Sequence, residues 1–334
     1  MEAISIPTLA LRVPDEAAAY EFLEDLRWHG RPVCPHCGVI DGHYFLKPRN
    51  GVSRQTRTGA ETQRRLWKCR DCRKQFSVLT GTVMHRTKIP VRTWLFVLYE
   101  MCASKNGISA REIERKYGLT PRTAWFMAHR VREAMRRGPS EDRLAGTIIA
   151  DETFIGGKAR LRYGTMAKNA DNRAERRYPP KSAVVTLIHP ESGEARSRVV
   201  PTVNAENLGV AIASQVDVTR SRLVTDESRS YTELGWDFAD GHETVWHSGG
   251  EYVRGNVTTN AVESFFSQLK RSVDGTFHHV SPEHLARYLA EFDYRYTTRK
   301  MTDGRRMESL MRRVGGRRLT YSESSEDSSS SLVA

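Results

Sequence analysis

Four of the five cysteines form two Cys-X-X-Cys pairs, Cys34 with Cys37 and Cys69 with Cys72. Zn²⁺ prefers four soft ligands in a tetrahedron, and each pair can supply two thiolates from one tight turn. In a reducing compartment such pairs indicate a metal site, with redox-active thiols as the alternative. The pattern therefore predicts a structural zinc ribbon over residues 25–85.

The segment between the two cysteine pairs is longer than a zinc ribbon usually has. Residues 47–65 are polar and basic and contain glycine, which favours an inserted hairpin. Residues 67–76, around the second cysteine pair, alternate as a pair of short strands does. Ahead of the ribbon, we expect residues 1–24 to form a helical lead-in.

Two capped helices are predicted after the ribbon, within residues 86–140. Ser109 is placed to cap a helix that ends at Gly118, and Thr120 is placed to cap the next one. This arrangement predicts an all-α helix-turn-helix over residues 109–137, although any three-helix bundle has the same periodicity. The residues of this segment expected to contact DNA are Arg122, Thr123 and Arg130.

The chain of 334 residues carries 52 Lys and Arg against 40 Asp and Glu, which gives a net charge of +12. Such an excess is typical of proteins that bind a polyanion such as double-stranded DNA, because neutralising phosphates releases condensed counterions. An anionic membrane surface is the competing interpretation.

No run of about 18 apolar residues is present, so no membrane span is expected. Because residues 1–16 also lack a secretory-signal pattern, we expect a cytoplasmic, nucleoid-associated protein.

The second half of the chain, residues 141–300, changes to a strand-rich pattern. The five strands are expected near residues 146–157, 182–189, 195–201, 222–226 and 243–247. The first three follow one another as a meander, a helix capped by Asn204 precedes the fourth, and further helices follow the fourth and the fifth. This is the order of elements in a ribonuclease H-like α/β fold, so the whole chain is predicted to be multidomain.

Three carboxylates stand at positions where such a fold could bring them together. Asp151 and Asp226 are each predicted to end a strand, and Glu263 lies on a later helix. Carboxylates can hold a pair of Mg²⁺ ions, which activate an attacking oxygen and stabilise a leaving one. Lys270, two helical turns beyond Glu263, would touch DNA near the cleaved bond. Acids at strand ends and on solvated helices are also common without any such role.

Several motifs occur in a characteristic order along the chain. They are residues 151–158, 224–227, 247–254, 259–271 and 275–281, with the ribbon and the helix-turn-helix ahead of them. This set resembles bacterial insertion-sequence transposases of the Asp-Asp-Glu type that carry an N-terminal zinc ribbon. The resemblance implies a ribonuclease H-like fold, Mg²⁺ or Mn²⁺ as cofactor, and DNA strand transfer. It also implies that Asp151, Asp226 and Glu263 are the metal ligands and that Lys270 is the associated basic residue.

Further residues are candidates for the DNA interface and the lining of the site. The additional DNA contacts are Lys158, Arg160, Arg162 and Arg271, and the additional site-lining residues are Asn260, His247 and His278. Phe277 and the two histidines after it could stack on an unpaired base. The basic stretch 157–181 has a solvated loop as its alternative interpretation. Residues 301–320 form a basic C-terminal segment, and residues 321–334 are predicted to be a disordered acidic tail.

The pattern as a whole predicts a DNA transposase that binds the inverted repeats of its own element and cleaves and joins DNA. Because two element ends must be held together, we expect at least a dimer in the synaptic complex. Two other functions fit parts of the pattern. One is a DNA-binding regulator without catalytic activity, and the other is a ribonuclease H-like nuclease that hydrolyses DNA without strand transfer.

Overall fold

The computed structural model describes residues 4–48, 51, 53–55, 59, 61–138, 142–156 and 181–325. It divides the chain into two compact units, one formed by Met1–Arg136 with Thr298–Glu326 and the other containing Arg137–Thr297. The helices are α1 (Ile6–Arg12), α2 (Glu16–Trp28), α3 (Val91–Ala103), α4 (Ala110–Tyr117), α5 (Pro121–Met135), α6 (Ala205–Ala213), α7 (Asn260–Ser272), α8 (Pro282–Thr297), α9 (Asp303–Arg313) and α10 (Tyr321–Ser325). The strands are β1 (His43–Phe45), β2 (Arg54–Gln55), β3 (Glu61–Thr62), β4 (Trp67–Cys69), β5 (Gln75–Phe76), β6 (Leu144–Ile155), β7 (Ser182–His189), β8 (Glu194–Val200), β9 (Val216–Thr225), β10 (His242–Thr244), β11 (Val253–Arg254) and β12 (Val257–Thr258).

The zinc ribbon is an antiparallel sheet in the order β1–β4–β5. The insertion between the cysteine pairs contains the predicted hairpin, in which Arg54 pairs with Thr62. Trp28, at the end of α2, packs edge-on against Trp67 and Phe76, with ring centroids 6.0 and 5.9 Å away. The predicted hairpin and the predicted strand pair are therefore both confirmed.

The two helices after the ribbon have the caps that the sequence predicts. The Ser109 hydroxyl accepts a hydrogen bond from the N–H of Glu112, and Gly118 ends α4 in the left-handed conformation at φ 61°. Thr120 caps α5 in the same way. The inner face of α5 is core, since Ala128 is fully buried. The two helices and their short turn are thus present, while their binding to DNA stays a prediction.

The basic C-terminal segment contributes to the fold of the first unit. Met307 and Leu310 of α9 are fully buried, and the Arg306 guanidinium donates to the carbonyls of Cys102 and Thr298. The prediction of disorder from residue 321 is wrong for the five residues of α10. Tyr321 holds this helix on α5, with its ring 5.6 Å from that of Phe126. Residues 326–334 lie outside the described part of the chain.

The second unit is built on a five-stranded sheet in the order β10–β9–β6–β7–β8. The strands β6, β7 and β8 form an antiparallel meander, whereas β9 runs parallel to both β6 and β10. This is the predicted ribonuclease H-like arrangement of three antiparallel strands followed by two parallel ones. Helices α7 and α8 pack on one face of the sheet and α6 packs on the other, so both faces are buried.

Two details of this unit differ from the prediction. The expected helix between β9 and β10 is replaced by two 3₁₀ turns, Arg229–Tyr231 and Leu234–Asp237. Gly235 lies against the ring of His242, where a Cβ atom would come within 2.4 Å of Nδ1, and glycine also weakens a helix. Strand β10 ends at Thr244, so His247 lies in a 3₁₀ turn rather than at the end of the fifth strand.

A buried ion pair within α8 generates the first prediction. Glu291 is fully buried and accepts from Arg295 at 2.6 Å. Replacing Glu291 by alanine leaves a buried guanidinium without this carboxylate, so we expect a loss of about 3–5 kcal/mol in the free energy of unfolding, measured by urea denaturation. As a control, Glu243→Ala removes a partly exposed partner of Arg222 and should cost less than about 1 kcal/mol. Equal losses in the two variants would contradict this account.

Candidate functional site

The four cysteines of the ribbon come together as predicted. Their sulfur atoms all lie within 4.8 Å of one another. Cys34 Sγ is 3.7 Å from Cys72 Sγ, and Cys37 Sγ is 3.6 Å from Cys69 Sγ. A tetrahedral zinc with Zn–S bonds near 2.3 Å places its sulfur ligands about 3.8 Å apart. The spacing of the thiols therefore fits a structural zinc ion.

Backbone hydrogen bonds hold both cysteine pairs in tight turns. The N–H of Gly38 donates to the carbonyl of Cys34 at 2.9 Å, and the N–H of Cys69 donates to that of Lys74 at 3.1 Å. Burial and the neighbouring thiols raise the pKa of Cys34 to about 12. A cation is therefore needed to keep four thiolates together here, because metal binding requires deprotonated cysteines.

Zinc removal is expected to unfold the ribbon, because its strands are only two or three residues long and the folding of such small domains is coupled to metal binding. Dialysis against a chelator should release one zinc per chain, measured by atomic emission, and expose Trp67, measured by tryptophan fluorescence. Cys69→Ser should have the same effect without chelator. Cys102→Ser serves as the control, since Cys102 lies in α3 outside the cluster. Retention of zinc by the Cys69 variant would contradict the assignment.

In the second unit Asp151 lies on β6, and Asp226 follows directly after the neighbouring strand β9. Strands β6 and β9 run parallel, with Ile149 opposite Val224. Continuing this register by two residues puts Asp151 beside Asp226, and both then share the sheet face of Ile149 and Val224. That face is covered by α7 and α8.

The position of Asp151 along its strand differs from the prediction. Strand β6 continues to Ile155, so Asp151 lies inside it rather than at its end. Asp226 follows directly after β9, as predicted. Glu152 points to the opposite face, where its Oε2 accepts from the hydroxyl of the buried Tyr231 at 2.6 Å. Because side chains alternate along the strand, the carboxylates of Asp151 and Glu152 lie on opposite faces of the sheet.

Glu263 is presented by the first turn of α7. The helix is anchored on the sheet by an apolar stripe consisting of Val262, Phe265, Phe266 and Leu269. The side chain of Glu263 is 44% exposed, and its Oε1 accepts from the hydroxyl of the buried Thr259 at 2.8 Å. The same Oε1 is 3.5 Å from Nε2 of His247, which is 3.2 Å from the Thr259 hydroxyl. These contacts orient the carboxylate.

Asp151 is buried among other carboxylates. Burial raises the pKa of Asp151 to about 7, and the charges of Glu152, Asp226 and Glu263 add to this effect. The N–H of Glu152 donates to Asp151 Oδ1 at 2.7 Å and opposes the shift. Among the described residues, the oxygen atoms of these acids do not all lie within 4.8 Å of one another, whereas the four sulfur atoms do. Such an open set of like charges suits oxygen ligands shared between two cations about 3.5–4 Å apart.

The exposed face of α7 carries other predicted site residues. Asn260, Glu263 and Lys270 are all exposed at helical spacing, and Arg271 is exposed beside them. His278 does not line the site, because it follows the far end of the helical segment, roughly 20 Å from Glu263 at 1.5 Å per residue. Its Nδ1 lies 3.1 Å from the carbonyl of Asp274.

The predicted DNA contacts of the first unit have different surroundings. Thr123 lies in the first turn of α5, and the Arg122 guanidinium is 4.0 Å from the ring centroid of Tyr321. The prediction that Arg130 contacts DNA is wrong, because this residue is only 6% exposed. It donates to the carbonyl of His85 and lies over the rings of Trp94 and Phe126. Lys158, Arg160 and Arg162 lie outside the described residues.

Two supporting residues were not singled out from the sequence. Thr259 joins His247 to Glu263, and Glu227 accepts from the N–H of Ser248 at 3.1 Å, which holds the turn that carries His247. The Ser248 hydrogen bonds also lower the pKa of Glu227. The contact of Thr259 with His247 and that of Glu227 with Ser248 join segments 12 and 21 residues apart. From the sequence, only the adjacency of Glu227 to Asp226 and the place of Thr259 in the 259–271 motif were visible.

The chain was compared with known proteins. Residues 143–297 match the ISXO2-like transposase domain, and residues 14–75 match the transposase zinc-ribbon domain. A protein described as uncharacterized in transposable element ISH50 of Halobacterium salinarum is 25% identical over 287 residues, covering 84% of this chain and 90% of that protein. The catalytic core domain of BIV integrase is similar over 43% of this chain and 80% of its own, at 14% identity and a TM-score of 0.29. A score this low does not establish a shared fold.

The two domain matches define the class of the protein. It is a nucleic-acid-processing enzyme of the transposase type. More specifically, the chain belongs among the transposases with an N-terminal zinc ribbon, as its motifs predicted. Among the helices that the structure describes, none is both long and apolar enough to cross a membrane.

The burial of Asp151 among other carboxylates generates a prediction for the metal-free protein. Because its folded pKa lies above the usual value, ionising Asp151 costs stability as the pH rises from about 4 to about 7. Asp151→Asn removes this cost and should stabilise the metal-free protein at pH 8 by about 1–3 kcal/mol. The gain should shrink towards pH 4. Thermal melting with chelator measures it, and added Mg²⁺ should raise the Tm of the wild type but not of the variant.

Asp240→Asn is the control for this measurement. Asp240 is exposed in the segment before β10 and is not one of the three acids. Its melting temperature should equal that of the wild type with and without Mg²⁺. A destabilised Asp151→Asn protein at pH 8 would show that the ionised Asp151 carboxylate does not cost stability in the folded state.

Proposed function

We propose that this chain binds the inverted repeats of its own insertion sequence and catalyses metal-dependent DNA cleavage and strand transfer. The observation that supports this most directly is the register of β6 and β9, which aligns Asp151 with Asp226 on the face covered by α7. Glu263 approaches the same place from the first turn of that helix. Three acids from three elements form a ligand set of the kind that phosphodiester chemistry requires.

The donor set fits hard divalent cations. Carboxylate oxygens are the ligands that Mg²⁺ and Mn²⁺ prefer. Burial raises the pKa of Asp151, the neighbouring carboxylates add to the shift, and a bound cation would offset both. Asp151, Asp226 and Glu263 would hold the ions, which when bound supply activation of the attacking oxygen and stabilisation of the leaving oxygen. Thr259 and His247 keep Glu263 in place.

The basic side chains near these acids would hold the DNA backbone. Lys270 and Arg271 are exposed on α7, about two turns beyond Glu263. Both can bind phosphates on either side of the scissile bond, which orients that bond without reading its sequence. The net charge of +12 favours the same partner. Arg122 and Thr123, at the start of α5, would reach base edges in a major groove.

The same carboxylates would serve two successive reactions. Water first hydrolyses the phosphodiester at an element end and frees a 3′-hydroxyl. That hydroxyl then attacks a target phosphodiester, so one P–O bond forms while another breaks and the number of ester bonds is conserved. Because two ends must be joined to one target, at least two copies of the chain are expected in the synaptic complex.

A cleavage assay tests this proposal. The substrate is a labelled duplex with the terminal repeat found in the DNA flanking the coding sequence. With Mg²⁺ the wild type should nick it at the repeat end, while Asp226→Asn should lose at least about 10³-fold in rate because one ligand of the ions loses its charge. Asp240→Asn should cleave at the wild-type rate. Full activity of the Asp226 variant would overturn the proposal.

Pre-cut ends separate this function from its alternatives. Given a duplex with a free 3′-hydroxyl and a supercoiled target, a transposase yields joined products, whereas a nuclease yields only shortened strands. A regulator would bind the repeat without cutting it, and the Asp226 substitution would then change nothing. Joined products that disappear in the Asp226 variant are the expected result.

A further inference from the structure

Two large aromatic side chains are exposed in the segment that follows β10. Trp246 is 61% exposed and Tyr252 is 58% exposed. They stand at the two ends of a tight turn, in which the Trp246 carbonyl accepts from the N–H groups of Gly249 and Glu251 at 3.1 and 3.0 Å. The backbone N–H of Trp246 donates to the Glu251 carboxylate at 3.3 Å. The backbone that carries these rings is therefore well defined.

The indole of Trp246 is braced by a glycine. A Cβ atom on Gly249 would lie 2.6 Å from Cε3 and 2.8 Å from Cδ2 of the indole. Any larger residue at position 249 would therefore push the ring away. Because the ring lies against the Gly249 backbone and is still largely exposed, its remaining surface is presented to solvent in a set orientation.

This turn is connected directly to the carboxylates. His247 follows Trp246, and its Nε2 is 3.5 Å from Oε1 of Glu263. The ring of Tyr252 lies beside that of His247, with centroids 5.2 Å apart and an interplanar angle of 32°. Arg254, two residues beyond Tyr252, donates to the carbonyl of Thr244 and lies 3.8 Å from the Glu251 carboxylate. The Tyr252 ring and a proposed metal ligand thus belong to one network through His247, and Trp246 precedes His247 in the same turn.

We propose that Trp246 and Tyr252 form a stacking platform for an unpaired DNA base next to the scissile phosphodiester. The proposal rests on the proposed function, since it assigns the substrate of the same site. Every base has a flat π-surface that stacks on aromatic rings without sequence preference. A base extruded from the duplex lets the strand bend so that its phosphate can reach the carboxylates, and the platform compensates the lost base stacking.

The structure does not offer the aromatic residues suggested by the sequence for this task. Phe277 packs into the core against Tyr288, at 4.9 Å between centroids, and against Phe292. His278 lies at the distant end of the helical segment. A protein partner is the other common reason for exposed aromatic rings, but the contact of His247, in the same turn, with the proposed metal ligand Glu263 favours DNA.

Cleavage rates on the labelled repeat duplex test the platform. Stacking of a base on one aromatic ring corresponds to a factor of about 5 to about 150 in binding, so Trp246→Ala should slow nicking by a factor in that range. Trp246→Phe should keep most of the nicking rate. A mismatch at the scissile position should restore part of the loss, because that base is already unpaired. Trp236→Ala is the matched control, since Trp236 is 80% exposed in the same unit, and it should cleave normally. Equal rates for the wild type and Trp246→Ala would overturn the proposal.

Photo-crosslinking tests the platform independently of cleavage. A duplex with 5-iodouracil beside the scissile phosphate is irradiated with the Asp226→Asn protein, and the crosslinked peptide is identified by mass spectrometry. Crosslinks at Trp246 or Tyr252 that disappear in Trp246→Ala are expected. Crosslinks only elsewhere, for example at Trp236, or no crosslink at all, would overturn the platform. If the wild type never cleaves DNA, the proposed function fails while this readout still decides the platform.

Discussion

The parallel pairing of β6 with β9 is the constraint on which the site depends. With Ile149 opposite Val224, every second residue of both strands faces α7, and Asp151 and Asp226 share that face. A slip of one residue would turn one of the two acids to the side of α6 and Tyr231. The apolar residues that hold the register thereby determine where charge accumulates, and the chemistry follows from the packing of the sheet.

The cysteine cluster and the acidic site both place groups together that would otherwise repel one another when ionised. Four thiols crowd one end of the ribbon, and Asp151 is buried near Asp226 and Glu263 at a cost that shows in its raised pKa. The surrounding structure supports this arrangement by different means. In the ribbon, backbone hydrogen bonds fix the two turns, whereas in the second unit the stripe of α7 that includes Phe265 fixes the helix that carries Glu263.

Local signals predicted much of the fold. The caps Ser109 and Thr120, the hairpin inserted in the ribbon and the meander of the second unit were all readable, because each depends on residues close in sequence. The predictions that were wrong concern tertiary contacts. Arg130 looks like a phosphate ligand on a basic helix, yet aromatic rings enclose it. A helix was expected between β9 and β10, where Gly235 must instead leave room for His242.

By itself, the sequence determined which side chains are available for chemistry and which elements carry them. Cysteine spacing identified the zinc ligands, and the order of strands and helices, together with the family resemblance, identified the three acids. Only the tertiary structure decided that Thr259 and His247 orient Glu263, that Glu152 faces away, and that Trp246 stands exposed in the turn whose His247 contacts Glu263. The physical reason is that periodicity records the face of an element, whereas the neighbours of that face come from distant segments.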